Sequence, residues 1–253
     1  MSKHKLTPKE KFECIEEIKP IVKKFKTQYG ITEPISDSFK KIENDIGYFI
    51  VSKKVNNELS GFQYKIGEQG FIFVNNNHDL GRQNQSLWHE VYHLYTGDGE
   101  PISKGSLIKY STSEFKADQF ASRILIDRDY LSSYIRENKL IEKGYFSKEE
   151  VLKMQNIFNV SFNSMCYTLN ELYDGSIHGS YYTFGSIKKR EAFLKFVESE
   201  GYDQKLSQIP EEDYISPIIF EILQKNLADK RTSSRRVEEI LDYIYEELRF
   251  VNE

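Results

Sequence analysis

Five consecutive residues constrain this chain more than any others: His89-Glu90-Val91-Tyr92-His93. The pattern H-E-x-x-H sets two histidines four positions apart. On an α-helix those positions share one face, so both imidazoles can grip a single cation. Glu90 follows the first histidine and is placed to act as a general base. Zinc held by three protein groups keeps a fourth position open and generates a nucleophile from water near neutral pH. At ordinary composition, chance yields this pattern in roughly one of a hundred chains of this size. The bland alternative is a surface helix with two solvated histidines, and the neighbouring residues disfavour it. Leu87, Val91 and Leu94 form an apolar stripe at helical spacing, and the single tryptophan, Trp88, abuts the first histidine. Imidazoles on a packed helix need a partner, because burying a polar group alone is costly.

Four carboxylates follow downstream: Asp98, Glu100, Glu114 and Asp118. Thr96 to Pro101 reads as a helix stop and turn broken by Gly97 and Gly99, so Asp98 and Glu100 read as solvated. Ser113 to Leu125 reads as a helix, with Ser111 or Ser113 as its N-cap. Ala117, Ala121 and Leu125 share a face there, and small residues permit close approach to another helix. A carboxylate on such a face is expensive to bury unless it meets a cation. Glu114 is therefore the expected third ligand. Asp118, one turn on, is expected to accept a hydrogen bond from a ligand histidine, against the alternative of a plain solvated carboxylate.

Glu114-Phe115-Lys116-Ala117-Asp118-Gln119-Phe120-Ala121 matches the form E-x-x-A-[ND]-x-F-A at every defined position. Together with H-E-x-x-H, this resembles the ImmA/IrrE family of metallopeptidases. Ser60-Gly61-Phe62 and Gly70 to Asn75, two strands before the first helix, add to the resemblance, which spans about residues 30–130. Tyr92 stands where the family often has glycine, and Asp127 where it often has proline. The resemblance implies a substrate class, helix-turn-helix repressors of mobile elements, stress responses or toxin–antitoxin loci. The competing reading is a zincin-fold module that sequesters such a partner without cutting it.

From the residues themselves, the expected chemistry is peptide hydrolysis. His89, His93 and Glu114 would hold one Zn²⁺ per chain, with Mn²⁺ a possible substitute in the same N/O site. Glu90 would move the proton. Tyr92, Tyr95 and Tyr110 are candidate donors to an oxyanion.

At 253 residues the chain suits one large or two small domains. A net charge of −4 carries no global nucleic-acid or membrane footprint; the protein partner is what the resemblance implies. Two cysteines far apart, Cys14 and Cys166, suit a reduced, cytoplasmic protein. The first residues lack the apolar stretch of a signal peptide, and no apolar run approaches a membrane span.

Thr7 and Glu10 make a capping box for a helix over 7–29, with Pro20 a candidate break inside it. A short helix is expected at 35–45, strands at 48–51, 60–66 and 70–75, and the two site helices at 82–96 and 112–126. The expected class is α+β: a zincin-like domain over 1–130, then a mainly helical region over 131–253. The strand with Phe71, Ile72, Phe73 and Val74 is expected to offer a free edge that aligns an extended substrate. Ser147 and Glu150 open a helix to Phe158, and Ser161 opens another to Leu172, a pair resembling a helix-turn-helix. From Val160 to Tyr173 there is no Lys or Arg and one Glu, so it reads as a packing module rather than a DNA reader. Gly175 to Gly185 reads as a loop or hairpin, Lys188-Lys189-Arg190 as a solvated helix start, and Ser233 or Ser234 as the cap of a last helix. His4, His78 and His178 lack spaced partners and read as structural or exposed.

Overall fold

The computed structural model describes residues 6–55, 59–98, 112–141 and 143–249. His4, Glu100, Tyr110 and Ser111 lie outside them. Helix α1 (Pro8–Gln28) opens on the reciprocal bonds of Thr7 and Glu10. Pro20 does not divide it. Pro20 and Glu16 both face solvent, so the carbonyl that loses its donor there stays open to water. Asp37 caps α2 (Ser38–Lys41), which runs into a π-helical turn over Ile42–Ile46 that ends at Gly47.

Strands β1 (Phe49–Lys53), β2 (Gly61–Ile66), β3 (Gln69–Asn75) and β4 (Tyr214–Ile215) form one sheet in the order β2-β3-β1-β4. β2 and β3 are an antiparallel hairpin, β1 lies parallel to β3, and β4 is antiparallel to β1. The fourth strand has no counterpart in the sequence reading. It is held by Ser216, whose hydroxyl accepts from the Ile50 N–H at 2.8 Å. Buried Glu43 accepts hydrogen bonds from both Tyr214 and Ser216.

Helix α3 (Leu80–Thr96) packs on the sheet, with Leu87, Trp88 and Val91 in one core with Ile50, Ile72 and Val74. Then follow α4 (Thr112–Leu125), α5 (Arg128–Glu137), α6 (Lys148–Phe158), α7 (Phe162–Leu172), α8 (Ser180–Phe184), α9 (Arg190–Ser199), α10 (Ile218–Ala228) and α11 (Ser234–Arg249). The chain is thus an α+β protein, as expected. The apolar core does not divide at residue 130: one cluster runs from Ile18 to Val197.

Two local readings need correction. Gly175 to Gly185 contains α8 instead of a hairpin, because Tyr181 and Phe184 pack against Phe162 at 6.3 and 6.2 Å. Arg190 is not simply solvated; its guanidinium reaches Asp79, the N-cap of α3, at 3.3 Å. His78 is buried just before α3, and that burial drops its pKa to about 4. Among the described residues no helix is long and apolar enough to cross a membrane.

Candidate metal centre

The site is built by two helices that the sequence makes compatible. Asp79 caps α3, accepting from the Arg82 N–H at 3.0 Å, and Gly97 ends it in the left-handed region at φ 71°. On α4, Ala117 and Ala121 are fully buried, which lets the two helices approach. The side-chain amide of Gln85 on α3 donates to the Asp118 carbonyl at 3.2 Å. Phe120 fills the joint, its ring 5.6 Å from that of Tyr92.

This packing brings His89, His93 and Glu114 together. The two imidazole Nε2 atoms stand 3.3 Å apart. Glu114 offers one carboxylate oxygen to each: Oε2 lies 3.3 Å from His89 Nε2 and Oε1 lies 3.6 Å from His93 Nε2. Donor atoms about 2.0–2.1 Å from a tetrahedral zinc ion stand roughly 3.3–3.4 Å apart. The three side chains fit such an ion in donor type and in spacing. Among the described residues no other group of three His, Cys, Asp or Glu converges in this way.

Each imidazole is also held from behind. His89 Nδ1 lies 2.9 Å from Asp118 Oδ1. His93 Nδ1 donates to the main-chain carbonyl of Asp98. A carbonyl oxygen can only accept, so the His93 proton sits on Nδ1 and the Nε2 lone pair is left for a cation. His89 turns Nδ1 to the Asp118 carboxylate and Nε2 toward Glu114 and His93. The Asp98 contact was not legible in the sequence, where Asp98 read as solvated. A turn carbonyl has no side-chain signature, and only the reversal at Gly97 brings it back to the ring.

The electrostatics follow from this crowding. Burial pulls the His89 pKa down, but hydrogen bonds to Asp118 and Glu114 outweigh it and the net shift is upward. The bond to His89 holds the Glu114 carboxyl below its usual range. Glu90 does not belong to the converged donors. It is buried, and desolvation pushes its pKa up to about 7. A divalent cation on the three donors would lower it again.

Glu90 packs against β2 at Gly61. A Cβ on Gly61 would stand 3.3 Å from Glu90 Oε1 and 2.8 Å from the Phe73 carbonyl, so glycine is what lets the strand pass. This corrects the expected aligning strand. Phe71, Ile72, Phe73 and Val74 lie on β3, which is hydrogen-bonded on both sides and has no free edge. Among the described residues, the open edge beside Glu90 belongs to β2. The Asn75 N–H donates to the Ser60 carbonyl at 3.0 Å, and the register pairs Gly61 with Val74. Antiparallel pairs alternate, so the main-chain groups of Phe62, Tyr64 and Ile66 bond to β3 and those of Gly61, Gln63 and Lys65 point outward. The candidate oxyanion donors fare poorly: the Tyr92 hydroxyl donates to Asp98 and that of Tyr95 to Gln28.

No curated protein matches the chain. The family model of the IrrE N-terminal-like domain, a peptidase family, matches residues 44–170. That stretch is half of the chain and holds β1 to β3, both site helices and α5 to nearly the end of α7. Three of the four strands, the paired helices and the residues of the His-His-Glu convergence all lie within the matched stretch, and the chain belongs to the ImmA/IrrE family of metallopeptidases.

Proposed function

We propose that the protein is a zinc-dependent endopeptidase whose substrate is a DNA-binding repressor of the helix-turn-helix kind. The observation that carries the enzymatic part is the triangle of His89, His93 and Glu114 with buried Glu90 outside it. In this reading the three donors hold one Zn²⁺ and Asp118 orients His89. Zinc bound there would supply Lewis acidity toward the scissile carbonyl oxygen and acidify a water. Glu90 accepts the proton of the attacking water and returns it to the leaving amine. The repressor as substrate rests on the family likeness. Two free buried cysteines suit a reduced, cytoplasmic setting.

An extended substrate segment would add to the outer edge of β2, taking main-chain bonds from Gly61 and Gln63 beside Glu90. Proline at position 63 tests this, because the Gln63 N–H is not needed by the sheet. Gln63→Pro is expected to keep fold and metal while raising KM about tenfold, the scale of a lost hydrogen bond or two. An unchanged KM would remove β2 from the substrate path.

The test of the whole reading is direct. Elemental analysis of the purified chain is expected to find one zinc per molecule. Incubation with a repressor encoded beside it is expected to yield two discrete fragments, blocked by a chelator. No uptake of added zinc would end the metal reading. A stable complex with uncut repressor, with zinc or manganese supplied, would favour sequestration over catalysis.

A further inference from the structure

We propose that Tyr92 is a positioning residue for the metal centre: its hydroxyl pins the Asp98 turn, whose carbonyl fixes the His93 ring. This rests on reading His93 as a ligand. Tyr92 is only 2% exposed, and its ring lies 5.4 Å from that of His93. Its hydroxyl donates to Asp98 Oδ2 at 2.9 Å. Thr96 binds the same turn from the other side. Its hydroxyl donates to the Tyr92 carbonyl at 2.8 Å and accepts from the Asp98 N–H at 3.1 Å.

The chain reverses at Gly97, whose N–H donates to the His93 carbonyl at 2.9 Å. The reversal carries the Asp98 carbonyl back to His93 Nδ1. The same carbonyl accepts from the Ser113 hydroxyl at 3.2 Å, one residue before Glu114. One oxygen thus ties the end of α3 to the start of α4. Gly97 and Asp98 are themselves exposed. A short exposed turn does not hold a carbonyl in place unaided, and Tyr92 is its anchor in the core. A phenol buried under the site also needs its partner, because an unpaired hydroxyl there is costly.

The test uses the full chain stripped of metal and titrated with zinc against a competing chelator. Tyr92→Phe and Asp98→Ala are each expected to weaken zinc about three- to tenfold, below the ~10- to 100-fold cost of losing a direct partner of a ligand. Asp98→Asn keeps an acceptor oxygen and is expected to stay near wild type. The double variant Tyr92→Phe/Asp98→Ala is expected to be no worse than either single one, since both cut the same bond. Histidine-ring NMR supplies the readout that a general structural role would not move. In Tyr92→Phe the Nδ1 proton of His93 is expected to exchange faster while that of His89 is unchanged. Zinc binding within twofold of wild type, equal change at both rings, or additive losses would overturn the proposal. Should the wild type take up no zinc, the metal reading fails by itself. The ring-proton exchange in the metal-free chain then decides the role of Tyr92: faster only at His93 supports it, unchanged overturns it.

Discussion

Glu90→Gln is expected to slow peptide cleavage by about 10²- to 10⁴-fold while leaving metal content and fold intact. The size of the effect follows from the role. Glu90 is the buried carboxylate beside the His-His-Glu triangle, and it is not part of that triangle. Glutamine has the same shape, so the close approach of Gly61 to this side chain is preserved. What disappears is the ability to accept a proton. Single-turnover cleavage, with metal content measured on the same sample, separates the possibilities. Retained zinc, a bound repressor and no fragments is the expected result. Wild-type cleavage by the variant would place the base elsewhere, and loss of zinc would make Glu90 a ligand.

Glu114→Gln is expected to produce the largest loss of metal affinity obtainable outside the two histidines. The carboxylate contributes a negative charge and an oxygen toward each imidazole. The amide keeps the volume and forfeits the charge. The drop should exceed the ~10- to 100-fold expected for Asp118→Asn, which leaves an acceptor oxygen for His89 Nδ1 and takes away the negative charge behind the ring. Zinc protects only the folded chain, so the rise in Tm on adding zinc should shrink in the same order. Equal chelator competition by Glu114→Gln and wild type would disqualify Glu114 as the third ligand.

Much of this site was legible in the sequence because helices are local objects. The spacing of His89 and His93 needs only the 3.6-residue turn, and the stripe of Leu87, Val91 and Leu94 is indeed buried. The boundaries of α6 and α7 followed from Ser147, Asn159 and Ser161, whose capping effects act within three or four residues. Glu114 could be chosen over Asp98 because Ala117 and Ala121 mark a face that approaches another helix.

Apart from the unbroken helix at Pro20 and the short α8, the failures are non-local. Strand order is one: Phe71 to Val74 read well as a strand, but nothing in their alternation says that β2 and β1 flank them. β4 is another, a two-residue strand from Tyr214 that meets Ser52 across the fold. Arg190 on Asp79 and the Asp98 carbonyl on His93 are of the same kind.

The sequence by itself therefore determined which side chains share a helical face, and which helix brings a carboxylate to them. Only the tertiary structure decided which strand edge lies beside Glu90 and which backbone oxygen holds His93. Side-chain identity and helical period are written residue by residue. The pairing of backbone N–H and C=O groups is chemically the same at almost every residue, so only the folded chain selects among partners.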